Sequence, residues 1–194
     1  MKHREKPVRI KLSPAQKDAI YALPLSLQFR IVYMDAGSGF AVYQHILVDA
    51  GAPDYVQILA VAKAYAAETD CWINPEMDQN VSEVGRRKLY PGIEDNANPD
   101  LKTDKYGYID VKSPHNKRNI VRNANLACTQ GAIAVLTDLA LEKEEISQEE
   151  LDKFTERIFS EHNRNYLGDP NYIKQEVHWF IKGHLIKCNR SKKQ

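Results

Sequence analysis

The chain has 194 residues, 43% hydrophobic and 27% charged, the composition of one globular domain with a core of its own. Its 27 Lys+Arg against 26 Asp+Glu leave a formal charge of +1, which excludes a histone-like polycation and an acidic disordered tail. Cys71, Cys128 and Cys188 are odd in number and far apart, so neither a secreted disulfide scaffold nor a zinc ribbon is expected, and a reducing compartment suits them.

In chain order, residues 1–11 read as an extended basic arm with five Lys/Arg and one acid. They lack the apolar stretch of a signal peptide. Ser13 and Pro14 open a short helix, with Ser as N-cap and Pro in its first turn, and Pro24 ends it. Residues 29–51 carry apolar runs broken by Gly37 and Gly39 and admit a hairpin or two short helices. Residues 53–68 form a helix with Val56, Leu59, Ala60, Lys63 and Ala67 at helical spacing. A short strand follows and ends at Pro75; residues 78–98 read as a polar loop. Residues 99–112 give two short strands around a turn at 104–107, the second rich in Tyr and β-branched residues. Asn116 caps a helix over 117–130, and a buried strand takes 132–136. Ser147 and Glu150 make a capping box for a helix to about 162, with Leu151, Phe154 and Ile158 on its apolar face. Residues 176–188 read as a hairpin turning at Lys182 and Gly183. This order gives an α/β or α+β domain with a mixed sheet. No apolar run reaches about 18 residues, so no membrane span and a cytoplasmic location are expected.

Charge is segregated along the chain. Residues 86–122 hold nine Lys/Arg against five acids, whereas residues 138–161 hold nine acids against three bases. A polyanion would meet a positive field over the middle of the chain.

The stretch from Pro99-Asp100 to Asp110-Val111-Lys112 bears the chemistry. Two strands joined by a turn of this length set Asp100 beside Asp110 at one end of the sheet. Facing carboxylates repel, and a divalent cation relieves them; Mg²⁺ or Mn²⁺ takes one or two carboxylates, keeps waters and binds phosphate. Asp110 and Lys112 leave the same face of their strand, so the lysine reaches the same place. Its ammonium would hold an attacking water or offset charge building on phosphorus. The competing reading is an exposed hairpin with an Asp–Lys pair worth well under about 1 kcal/mol. Arg118 and Arg122 share a helix face and, with Lys117, would grip flanking phosphates. Arg86, Arg87 and Lys88 would follow a backbone groove. Tyr106 and Tyr108 flank the turn as stacking candidates, although packing of a half-buried strand suits them better. His115 is a loop histidine. His178 and His184 face each other if the hairpin register permits. Trp72 and Trp179 read as core, and the cysteines hold no structural zinc.

The segment PGIEDNANPDLKTDKYGYIDVKSP resembles the PD-(D/E)xK nuclease superfamily, the restriction-endonuclease-like phosphodiesterases. With VAKAYAAETDCWINPEM before it and NIVRNANLACTQGAIAVL after it, the chain resembles the C-terminal tRNA-nuclease toxin domain of contact-dependent growth-inhibition proteins. That family runs helix, short strand ending near Pro-Glu, PD hairpin with (D/E)xK, helix with a glutamine near its end, and buried strand. The likeness covers about residues 56–137. It implies a restriction-endonuclease-like mixed sheet flanked by helices, residues 1–50 as an accessory segment, and residues 51–194 as the nuclease-like domain. It implies Asp100 and Asp110 as metal ligands, Lys112 as the catalytic lysine, Glu76 as a further carboxylate and Gln130 as the helix glutamine. Two positions depart from it: Thr69 stands where Gly is usual, and Asp110 where Glu is usual.

A metal-dependent endonuclease is therefore expected, with RNA, and tRNA in particular, favoured by the resemblance. A toxin of this kind would be delivered into other cells and would need an immunity protein as partner. The first alternative is a metal-independent RNase of the barnase–EndoU–colicin–RelE type, which needs His, Lys and Arg and has no use for paired carboxylates. The second is a non-catalytic nucleic-acid-binding accessory protein of a mobile element.

Overall fold

Ser13 accepts a hydrogen bond from the Gln16 N–H, and the Ser13 N–H donates to the Gln16 side chain at 2.8 Å. This capping box starts helix α1 (Pro14–Ala22), which stops before Pro24 as the sequence implies. The structure is a computed structural model that describes residues 12–77, 83–93, 97–137, 146–160 and 175–190. The basic arm over 1–11, the first eight residues of the acidic block (138–145), and the expected end of the long helix at 161–162 lie outside the described residues.

A single turn, α2 (Leu25–Gln28), leads into β1 (Phe29–Met34). The ambiguous stretch is a hairpin: β1 pairs antiparallel with β2 (Ala41–His45), with Gly39 at φ 78° in the connection. Helix α3 (Tyr55–Tyr65) crosses to β3 (Cys71–Ile73), which lies parallel to β2. The face that α3 buries differs from the expected one. Gln57, Val61, Ala62 and Tyr65 are buried, while Val56 is 75% exposed. The helix is apolar nearly all round, so its sequence period did not single out a stripe.

Strand β3 pairs antiparallel with β4 (Leu101–Thr103), and β4 antiparallel with β5 (Gly107–Lys112). After β5 the chain forms a 3₁₀ turn (Lys117–Asn119) and helix α5 (Ile120–Thr129), where a single helix capped by Asn116 was expected. The Asn116 side chain makes no capping bond. Strand β6 (Ile133–Thr137) lies parallel to β5, and β7 (Glu176–Ile181) parallel to β6. Strand β8 (His184–Asn189) closes the series antiparallel to β7. Among the described residues the eight strands follow chain order across one mixed sheet.

Residues 78–98 are not all loop. Residues Glu83–Leu89 form a helix, α4, which packs Leu89 and the following Tyr90 with Tyr21 and Met77. Helix α6 (Gln148–Ser160) begins at the Ser147–Glu150 capping box and buries Leu151 and Ile158. Side chains alternate along β6. Val135 joins α3, Leu101 and Ile109 in one core, whereas Ala134 and Leu136 join α5, α6 and Trp179 in another. Helices therefore cover both faces of the sheet, as parallel strand pairs require.

The final hairpin turns at Lys182 and Gly183, both at positive φ (48° and 82°), as a type I′ turn requires. Its register pairs His178 with Lys187 and His184 with Ile181, so the two histidines are not cross-strand partners. The sheet also runs across the boundary expected at residue 50. Strand β2 pairs with β3, and Val42 sits in the same core as Val61 and Leu101. Among the described residues no helix is long and apolar enough to cross a membrane.

Candidate functional site

Strand register decides the centre of the site. Leu101 pairs with Ile109 and Lys102 with Tyr108, so the next opposed positions are Asp100 and Asp110. Thr103 Oγ1 accepts the Tyr106 N–H at 2.9 Å and Gly107 takes φ 73°, which closes the turn that sets this register. The Asn74 N–H donates to the Asp100 carbonyl at 2.9 Å and the Asn74 side chain donates to the Pro99 carbonyl at 3.0 Å, pinning the Pro-Asp pair to the end of β3.

Asp100 Oδ2 accepts the Val111 N–H at 2.7 Å. Asp110 is 2% exposed. Its Oδ2 makes no well-angled hydrogen bond and meets Lys112 Nζ at 2.6 Å as an ion pair. Burial drives the Asp100 carboxyl well above the usual carboxylate range, and the Asp110 charge pushes it further. The Val111 N–H and the Lys112 ammonium oppose this and do not offset it. The strand ends thus hold two carboxylates and one amine in a place where charge on Asp100 is costly.

Asp100, Asp110 and Lys112 line a cleft of about 300 Å³, together with Glu76 and Gln130. These five residues, all singled out in the sequence, therefore share one hollow. Glu76 stands exposed beyond the end of β3, and among the described residues no three His, Cys, Asp or Glu are grouped to hold a metal ion. Glu76 lines the cleft without completing a three-carboxylate set. Arg118 and Arg122 are exposed on the 3₁₀ turn and α5 and lie outside the lining. Lys117 pairs with Glu150 at 2.8 Å.

Arg86, Lys88, Tyr106 and Tyr108 are occupied in the fold. The Arg86 guanidinium donates to the Ala97 carbonyl and to Asn98 Oδ1, and Lys88 Nζ donates to the carbonyls of Tyr21, Ala22 and Leu23 at the end of α1. Tyr106 donates to Glu68 and Tyr108 to the Leu89 carbonyl. His115 is exposed and outside the cleft lining. Trp72 is half-buried and stacks on Tyr43, while Trp179 is fully in the core. All three cysteines are free.

The cleft also contains residues that the sequence did not mark. Buried Gln57 from α3 donates to Thr137 Oγ1 and accepts the Ser113 hydroxyl at 2.8 Å, tying the helix to the ends of β5 and β6. Its signal was a polar residue inside an apolar helix run. Asp49 and Asp54 come from the loop before α3. No family model, curated protein or solved structure matches the chain.

Proposed function

We propose that the chain is a metal-dependent phosphodiesterase acting on nucleic acid. The observation that carries this reading is the opposition of Asp100 and Asp110 in the lining of one cleft, with Lys112 2.6 Å from the second carboxylate. The order α3, β3, the β4–β5 hairpin, α5, β6 supports it, with α4 inserted between β3 and β4, since helix, short strand, hairpin, helix and strand is the order the resemblance calls for.

The residues suit a hard divalent cation. Two facing carboxylates, one with a buried oxygen that lacks a well-angled hydrogen bond, are the donor set for Mg²⁺ or Mn²⁺ with waters completing the shell. Asp100 and Asp110 would hold it, and when bound it polarises phosphate oxygen and acidifies water. Lys112 is 24% exposed at its side chain and reaches the cleft. Its ammonium neutralises Asp110 and then faces the phosphoryl oxygens, where it offsets the charge that grows in the transition state. Gln57 and Ser113 hold the strand end that carries Lys112. The preference for RNA, and a toxin role with an immunity partner, follow from the resemblance.

The test is cleavage of tRNA, other RNA and DNA by the purified chain with Mg²⁺ or Mn²⁺. EDTA is expected to abolish it, and Lys112→Ala to lower the rate by about 10²-fold or more. Equal rates in Lys112→Ala and the unsubstituted chain overturn the assignment. Cleavage that persists in EDTA replaces it with the metal-independent alternative.

A further inference from the structure

For a phosphodiesterase, the reading on which this inference rests, the cleft constrains the form of nucleic acid that can react. The reacting groups are recessed, because Asp110 is 2% exposed and Asp100 is half-buried. The hollow that reaches them has a volume of about 300 Å³, the lower end for small-molecule sites and suited to one nucleotide rather than several. Its charge is also wrong for a duplex. Asp49, Asp54 and Glu76 are exposed lining residues, and Lys112 is the one Lys or Arg among the described lining residues.

A duplex brings about one negative charge per 1.7 Å of axis, and proteins that seat one do so on rows of Lys and Arg. Here the flanking phosphates of a rigid helix would meet carboxylates, and the scissile phosphate would stay above the recess. An unpaired nucleotide differs on both counts. Its phosphate descends into the hollow, and its base has a wall to lie against. The loop before α3 and its first turns supply Val48, Ala52, Tyr55 and Ile58 to that lining. The Tyr55 ring is held by its hydroxyl, which donates to Gln44 Oε1 at 2.5 Å. Apolar and aromatic walls beside a reactive centre are how unstacked bases are gripped.

We infer that the cleft takes a single unpaired nucleotide of a strand and excludes paired nucleic acid. Asp49 and Asp54 stand at the same cleft, where carboxylates accept hydrogen bonds from the amino and imino edges of a base.

The experiment uses the full chain with Mn²⁺ and one end-labelled RNA sequence in three forms: single-stranded, fully paired, and paired with a one-nucleotide bulge, each repeated as DNA. Cleavage of the single strand and at the bulge is expected, with the fully paired form slower by about 10²-fold or more. Paired and single-stranded forms cut at similar rates overturn this inference and leave the phosphodiesterase reading standing. No cleavage of any form overturns both. Ala52→Trp fills the wall from a half-buried loop position. It is expected to raise KM for the single strand about tenfold while the melting temperature holds. An unchanged KM in a folded variant overturns the base-docking part.

Discussion

Asp100 and Asp110 face each other across a strand pair where charge on both is costly, and the Val111 N–H on Asp100 and the Lys112 ammonium on Asp110 are what hold them there. Such an arrangement is expected to be a stability cost kept for chemistry. Asp100→Asn keeps the shape, still accepts the Val111 N–H and can donate to Asp110. It is expected to stabilise the cation-free protein by about 1–2 kcal/mol in urea unfolding, while metal-dependent cleavage falls by about 10²-fold or more. Loss of stability would show instead that the Asp100 charge supports the fold. At this scale the sequence was half legible. It contains Asp-x-Lys twice, at Asp100-Leu101-Lys102 and Asp110-Val111-Lys112. Only the second lysine lines the cleft, because Lys102 lies over the Tyr108 ring at 5.8 Å instead.

Helix α4 shows how an element hides in a polar stretch. Its sequence, EVGRRKL, has three consecutive cations and no repeating apolar face. The helix exists because Leu89 and Tyr90 find Tyr21 and Met77, and because Lys88 satisfies carbonyls at the end of α1. Gly85 sets the approach: a Cβ there would sit 2.8 Å from Tyr21 Cβ. Two effects oppose each other in Gly85→Ala. Alanine gains about 0.5–1 kcal/mol as a helix former, and overpacking costs about 1–3 kcal/mol. The clashing atom is a Cβ fixed to α1 and not the tip of a flexible side chain, so overpacking is expected to win. The urea midpoint of Gly85→Ala should fall by the equivalent of roughly 1–2 kcal/mol, and a rise would mean that α1 and α4 slide apart freely. The caps of α1 and α6 and the Lys182–Gly183 turn were legible by contrast, since each is a contact between residues at most three positions apart.

Across the whole molecule, two buried histidines are expected to make folding sensitive to acid. Leu47 N–H donates to His45 Nδ1 at 3.1 Å, so Nε2 carries the proton and lies 2.9 Å from Gln28 Oε1. Gln28 in turn donates to the Tyr21 and Leu23 carbonyls, which binds α1 to the sheet. Burial pushes His45 down to about 4 from an ordinary value of 6.5. Burial also lowers His178, with Glu176 opposing it. Between about pH 6.5 and 4 the unfolded chain binds a proton at His45 that the folded chain refuses, so stability falls as pH drops through that window. Urea midpoints measured from neutral pH down to about 4 should decline accordingly, and less steeply in His45→Gln. A flat profile would mean that the folded state accommodates the charged ring.

By itself the sequence determined what depends on neighbours along the chain: the helix caps, the turns at Gly107 and Gly183, the mixed α/β character and the order Pro-Asp, turn, Asp-x-Lys. Tertiary structure decided the rest. It joined residues 29–45 to the sheet, brought Glu76 and Gln130 into the cleft, left Arg118 and Arg122 outside it, and added Gln57 from α3. These depend on strand register and on contacts between residues tens of positions apart. A one-residue slip in either would send the same side chains to the opposite face.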